Sequence, residues 1–119
     1  MSQGRTVLVV DDDPAIRDFL SMALEGDGYS VKTARDGREA LDKIRREPPD
    51  VILLDLVMPT MDGWRFLETQ RTSSAECHLP ILAMSAMGGR YMARELGATD
   101  FLAKPFDLDA LLGKVAALC

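Results

Sequence analysis

The chain has 119 residues, of which 47% are hydrophobic and 28% are charged, and its formal net charge is −5. This length and composition are typical of one folded domain with its own hydrophobic core, so we expect residues 1–119 to form a single domain. No apolar run approaches the roughly 20 residues that a transmembrane helix needs, and no signal peptide precedes the first predicted strand. The acidic balance argues against direct nucleic-acid binding, which needs clustered Lys and Arg.

Three local features have ordinary explanations. The basic run Lys43–Arg46 is interrupted by an isoleucine and followed by Glu47, so we interpret it as the solvent-facing side of a helix. Cys77 and Cys119 have no spacing typical of a disulfide framework or metal site, and free thiols fit a cytoplasmic protein. His78 lies beside Cys77, but adjacent residues rarely form a nucleophile–base pair, so we assign them no catalytic role.

Short apolar runs alternate with amphipathic segments along the chain. Intervals of roughly 20 to 30 residues between the runs are typical of strand–helix repeats, and they predict an α/β fold with a parallel sheet. The apolar runs begin near Thr6, Tyr29, Val51, Pro80 and Asp100.

The first, second and last predicted helices have clear start signals. Asp13 and Pro14 provide an N-cap and a proline at the first helical position, Asp36 caps the second helix, and Asp107 caps the last. An apolar stripe along each helix is expected to face the core. The stripes are Ile16, Phe19, Leu20, Ala23 and Leu24; then Ala40, Leu41 and Ile44; then Leu108, Leu111, Leu112, Val115 and Leu118.

Two further helices are predicted between these, and the fourth helix has the weakest sequence signals. Gly63 opens a third helix that carries Phe66 and Leu67 on its apolar side. A fourth is expected within residues 88–96, but each of two successive glycines disfavours helix by about 1 kcal/mol. Because Gly97 is a typical helix terminator, we expect a short fourth helix.

Polar residues stand where the predicted strands end. Asp11 and Asp12 follow the first strand, Asp55 closes the third, Ser85 closes the fourth, and Lys104 follows the fifth. Because ligands bind at the carboxyl edge of open α/β sheets, these side chains are expected to meet at one site.

This combination suits a divalent cation and a phosphoryl group. Carboxylates at 4 Å repel by about 4 kcal/mol per pair near a protein surface, and a hard cation such as Mg²⁺ removes that penalty. One aspartate can then attack phosphorus to form an acyl phosphate. Lys104 can neutralise the phosphoryl oxygens, and Ser85 can donate a hydrogen bond to one of them.

Other interpretations of these acids remain open at this point. Asp13 is more simply a helix cap than a metal ligand, and Asp62 is more simply part of a turn. A phosphatase of the haloacid-dehalogenase type would use Asp11 as nucleophile and Asp13 as general acid, but it would leave Asp55 unexplained. A third possibility is an unphosphorylated docking scaffold.

The motifs resemble those of the receiver domains of bacterial two-component response regulators, from Thr6 through Leu118. The resemblance implies a flavodoxin-like, doubly wound, five-stranded parallel sheet in the order 2-1-3-4-5, flanked by five helices. The interval between Ser85 and Lys104 is a few residues shorter than is usual in the family, and the shortfall falls in the fourth helix. The matching motifs are Leu8–Asp12, Leu54–Pro59, Met61–Gly63, Ser85-Ala86, Gly97-Ala98 and Lys104–Phe106.

By this resemblance, Asp55 is the phosphoacceptor of a phosphorelay, and Ser85 and Lys104 assist the transfer. Ser85 is also the switch hydroxyl, and Phe101 the switch aromatic. The implied Mg²⁺ ligands are the carboxylates of Asp11, Asp12 and Asp55 and the backbone carbonyl of Val57.

The resemblance also implies partners. A histidine kinase or histidine phosphotransfer protein would donate the phosphoryl group, and the recipient of the signal would be a protein effector or an output domain outside this chain. The domain would catalyse only its own aspartyl phosphorylation and dephosphorylation. We expect a cytoplasmic monomer.

Overall fold

The computed structural model describes residues 4–55, 79–85, 98–103 and 107–119. These residues form five strands and three helices, and the last predicted helix is α3 in this numbering. The predicted helices after Gly63 and within residues 88–96 lie outside the described residues. In chain order the elements are β1 Thr6–Val10, α1 Pro14–Gly26, β2 Ser30–Ala34, α2 Gly37–Arg46, β3 Val51–Asp55, β4 Ile81–Ser85, β5 Asp100–Ala103 and α3 Leu108–Leu118.

The strands form one sheet in the order β2-β1-β3-β4-β5. Every neighbouring pair is parallel. All residues of β3 and β4 are buried, as expected for a parallel sheet that is covered on both faces. The predicted doubly wound, flavodoxin-like sheet order is therefore confirmed.

Successive residues of the central strands enter two different hydrophobic clusters, because side chains alternate between the faces of a sheet. Leu8 and Leu54 belong to the cluster that contains Ile44 of α2. Val9 and Leu53 belong to the cluster on the other face, which contains residues of α1 and α3. The helix residues in this second cluster that are fully buried are Leu20, Leu24, Leu111 and Val115.

The three predicted N-caps are confirmed. The Oδ1 atom of Asp13 accepts a hydrogen bond from the Ala15 amide at 2.9 Å. Asp36 and Asp107 do the same for α2 and α3, at 2.8 and 2.7 Å respectively. Each carboxylate satisfies an amide that has no partner within its own helix, and so fixes where that helix begins.

Two positions of the predicted apolar stripes are wrong. Phe19 is 56% exposed and Leu108 is 37% exposed. The sheet-facing line of α1 runs through Leu20 and Leu24, and Phe19 is rotated from Leu20 by about 100° around the helix axis. Leu108 stands at the first position of α3, one turn before its first buried residue, Leu111.

Two observations bear on the expected cellular environment. No helix within the described ranges is long and apolar enough to cross a bilayer. Cys119 is a free thiol, and burial of part of its surface raises its pKa. Cys77 lies outside the described residues, and the cytoplasmic location stays a prediction.

Candidate metal centre

The carboxyl ends of the strands bring four of the five predicted polar residues to one edge of the sheet, namely Asp11, Asp12, Asp55 and Ser85. Asp11 directly follows β1, while Asp55 and Ser85 are the last residues of β3 and β4. These strands are neighbours, with Asp55 paired to Met84 in the β3–β4 register. The order of the strands therefore places these side chains near each other, which their positions at strand ends alone could only suggest.

Asp11, Asp12 and Asp55 form an acidic group whose candidate ligand oxygens all lie within 4.8 Å of one another. Asp11 is 1% exposed and Asp55 is 8% exposed, whereas Asp12 is open to solvent. Carboxylates this close and this buried repel, so a cation among them lowers the energy of the folded chain. Three carboxylates with one side open to water are a donor set that suits Mg²⁺.

The main chain around Asp11 is held from three directions. The Asp11 amide donates to the Ala34 carbonyl at 3.1 Å, which ties it to the end of β2. Asp11 Oδ1 accepts from the Asp13 amide at 3.0 Å. The Arg17 guanidinium donates to the Asp11 carbonyl at 2.8 Å. These bonds hold the first acid of the group in place before any ligand binds.

Sequence reasoning missed Arg17. Its hydrogen bond crosses from the second turn of α1 back to the loop that carries the acids. The sequence did contain a signal for this contact. It is a cationic residue four positions after the N-cap Asp13, in a helix that begins beside two acids. Asp13 itself serves as the cap of α1, in agreement with the simpler interpretation of that residue.

The predicted switch residues lie on the two strands beyond β3. Ser85 is 4% exposed at the end of β4. Phe101 is 3% exposed and is paired with Ala83 in the β4–β5 register, within the hydrophobic cluster on the α2 face. Lys104, Val57 and Asp62 lie outside the described residues, so the structure does not test their predicted roles.

Comparison with known proteins agrees with this architecture. The family model described as a response regulator receiver domain matches residues 7–116. Response regulator MprA of Mycolicibacterium vanbaalenii is 44% identical over 115 residues, which cover 94% of this chain and 49% of that protein. MprA of Mycobacterium avium is 43% identical over the same length, covering 94% and 50%. The chain thus spans about half the length of these curated relatives.

Solved structures of similar proteins have the same fold along nearly the whole chain. The Vibrio cholerae chemotaxis protein CheY4 superposes with a TM-score of 0.89 at 37% identity, covering 97% of this chain and 98% of that one. The receiver domain of the Francisella response regulator 1452 gives a TM-score of 0.91 at 34% identity, with coverages of 97% and 96%. Together with the family model and the acidic group, these similarities establish that the chain belongs to the response regulator receiver domain family.

Proposed function

We propose that residues 1–119 form one receiver domain that acts as a phosphorylation-controlled switch in a two-component phosphorelay. A histidine kinase or histidine phosphotransfer protein donates a phosphoryl group to Asp55, and a partner protein or an output domain outside this chain receives the signal. The observation that carries the proposal is the acidic group of Asp11, Asp12 and Asp55 at the carboxyl edge of the sheet. Identification of the residue that is modified by a small phosphodonor tests it.

In this proposal Asp55 is the nucleophile. One of its carboxylate oxygens bonds to phosphorus as the bond from phosphorus to the donor's imidazole nitrogen breaks, and the electron pair leaves with the imidazole. Asp11, Asp12, Asp55 and the Val57 carbonyl would hold Mg²⁺, which would offset the negative charge on the phosphoryl oxygens.

Three further residues complete the switch in this proposal. The Lys104 ammonium pairs with the phosphoryl group, and the Ser85 hydroxyl donates a hydrogen bond to one of its oxygens. The buried position of Ser85 at the end of β4, and that of Phe101 on the adjacent strand β5, support a relay of the change away from Asp55.

The two alternatives make different predictions about labelling. A phosphatase with Asp11 as nucleophile needs Asp13 as its acid, but Asp13 accepts the hydrogen bond that caps α1. That enzyme would be labelled on Asp11. An unphosphorylated docking scaffold would take no label on any aspartate.

Two large hydrophobic side chains of α1 suggest where a protein donor docks. Phe19 is 56% and Met22 is 74% exposed. Residues three apart are neighbours on a helix surface, so these two form one apolar patch. Their helix begins at Pro14, immediately after the loop that carries Asp11 and Asp12. Adjacent exposed apolar side chains on one helix are typical of protein contacts.

We expect replacement of both Phe19 and Met22 by Ala to slow transfer from a phosphorylated protein donor about tenfold, because apolar anchors of this kind contribute about 1 to 2 kcal/mol to a contact. Labelling by acetyl phosphate should be unchanged, since a small donor needs no docking surface. The rates of the two reactions are compared by phosphate-affinity electrophoresis. Leu108→Ala, an exposed leucine on α3, is the matched control. Equal slowing with both donors would contradict the assignment.

The phosphorylated form is expected to be long-lived for this family. Hydrolysis requires a water molecule held in line with the phosphorus, and polar side chains two residues after the phosphoacceptor and after the switch hydroxyl can hold it. Those positions are Val57 and Met87, whose apolar side chains have no group that can hydrogen-bond a water molecule. A double variant with Val57→Asn and Met87→Glu should lose phosphate at least about fivefold faster than the parent, since one hydrogen bond to the water contributes about 1 kcal/mol. Equal decay rates, followed by mass spectrometry, would refute this.

We also expect the domain to remain monomeric when phosphorylated. Symmetric dimers in the family use ion pairs from basic residues of the last helix, and in α3 the basic residue is Lys114 alone. Its Nζ atom binds Asp100 of β5 in the same chain at 3.1 Å. Light scattering with and without beryllofluoride should give the monomer mass in both conditions, and a shift to twice that mass would overturn the prediction.

A further inference from the structure

β2 forms one of the two edges of the sheet. β2 is the first strand in the sheet order, and within the described residues β1 is its neighbour on one side only. The Ser30 amide donates to the Arg5 carbonyl, and the Ala34 carbonyl accepts from the Asp11 amide. Main-chain groups of successive residues in a parallel strand point to alternate sides. The amides and carbonyls of Val31 and Thr33 therefore point away from β1.

A groove of about 370 Å³ runs along this edge, and its charged walls are mostly basic. It is lined by Val31, Lys32, Thr33, Lys43, Arg46 and Glu47. The segment from residue 32 to residue 47 contains six Lys or Arg and four Asp or Glu, although the whole chain has a net charge of −5. The groove is therefore positive on an otherwise acidic molecule.

The cations of the groove have weak partners within the chain. Lys32 pairs with Glu47, whose side chain is 70% exposed. Arg46 pairs with Asp42 at 3.2 Å, and both side chains are exposed. Ion pairs of this kind contribute between about 0 and 1 kcal/mol, so an incoming carboxylate can replace the present partner at little cost.

The Lys43 side chain protects the β2 edge from unwanted strand pairing. Its Nζ atom donates to the outward-pointing carbonyl of Thr33. A lysine laid over an exposed strand edge is a common device against unwanted strand pairing. Because the ammonium group sits on a flexible stem, it can turn to a carboxylate and leave the Thr33 carbonyl available to an amide.

We propose that the β2 edge binds an acidic, extended peptide segment of a partner protein as a sixth strand. The amides and carbonyls of Val31 and Thr33 provide the main-chain hydrogen bonds, and Lys32, Lys43 and Arg46 pair with carboxylates at alternate positions of the segment. This surface is separate from the phosphorylation site and goes beyond the function proposed for it.

The test uses a fluorescent seven-residue peptide of alternating Glu and Val, and measures its binding to the intact chain by anisotropy at low salt. Replacement of Lys43 and Arg46 by Ala should weaken binding about fivefold to tenfold. Arg45→Ala removes one charge from the same helix outside the groove and should change affinity less than about twofold. Equal weakening by Arg45→Ala and by Arg46→Ala alone would overturn the proposal.

Three further probes separate strand addition from simple charge attraction. A peptide of the same charge with proline at every Val position lacks the amides of those residues and is a poor strand former, so it should bind much more weakly. A Lys–Val peptide should not bind either. A single-stranded oligonucleotide should not compete, and equal binding of the proline peptide or full competition by the oligonucleotide would show a general polyanion site instead.

Hydrogen exchange in the unmutated protein gives an independent result. Bound peptide should slow exchange of the Val31 and Thr33 amides, which point to the open edge. The Lys32 amide, which belongs to the ladder with β1, should be unaffected. Unchanged exchange at Val31 and Thr33 with saturating peptide would overturn the proposal.

Discussion

Incubation of the protein with Mg²⁺ and acetyl phosphate is expected to phosphorylate Asp55 and no other residue. Asp55 ends the central strand β3 and lies with Asp11 and Asp12 in the acidic group. β3 lies between the strand that Asp11 follows and the strand that Ser85 ends, so the Asp55 carboxylate has the proposed cation ligand Asp11 on one side and the strand that carries a hydroxyl on the other. Mass spectrometry of the intact and digested protein should find one added phosphoryl group, on the peptide that contains Asp55.

Variants of three aspartates test whether Asp55 is the residue that is labelled. Asp55→Ala should abolish labelling, a loss of at least about a thousandfold, because the nucleophile itself is removed. Asp12→Asn should reduce labelling at low Mg²⁺, and labelling should recover when Mg²⁺ is raised, because the change removes one charge from the proposed metal ligands. Asp13→Asn keeps a capping side chain and should be labelled like the parent. Undiminished labelling of Asp55→Ala, or label on Asp11, would refute the assignment.

Leu53→Ala is expected to lower the free energy of unfolding by about 3 to 4 kcal/mol. Leu53 is fully buried at the centre of β3, in the cluster that joins the sheet to α1 and α3. Its removal leaves a cavity that a strand fixed between β1 and β4 cannot close. For a domain of this size such a loss is a large part of the total stability. Urea unfolding followed by circular dichroism measures it.

Met22→Ala is the matched control for this comparison. Met22 is 74% exposed, so its truncation should change the free energy of unfolding by less than about 0.5 kcal/mol. The two variants should therefore differ clearly in urea midpoint while their m-values stay alike. Similar midpoints would mean that the β3 core can relax around the cavity.

Much of the fold could be predicted from local patterns. The caps at Asp13, Asp36 and Asp107 follow from residue type and position, since few side chains can satisfy the first amides of a helix. The unbroken apolar run before Asp55 indicated a strand buried on both faces. Strand order could not be obtained this way, because apolar periodicity does not say which strands are neighbours. It came from the resemblance of the motifs to a known family.

The contacts of long side chains could not be predicted from the sequence. The hydrogen bond from Arg17 to the Asp11 carbonyl and the one from Lys43 to the Thr33 carbonyl both join separate elements. Their formation depends on how those elements pack, which local patterns do not specify. The exposure of Phe19 was missed for a related reason. An apolar stripe predicts which side of a helix faces the core, but not how much of that side the sheet covers.

The sheet order also bears on how the protein forms during synthesis. β1, β2 and β3, with the two helices between them, all lie within the first 55 residues, and so do Asp11, Asp12 and Asp55. Chains fold from the N-terminus as they leave the ribosome. The three strands of this half can therefore pair, and its carboxylates can come together, before β4 and β5 emerge. Ser85 and Lys104 arrive later, so the acids proposed to bind the cation and the groups proposed to bind the phosphoryl group come from successive halves of the nascent chain.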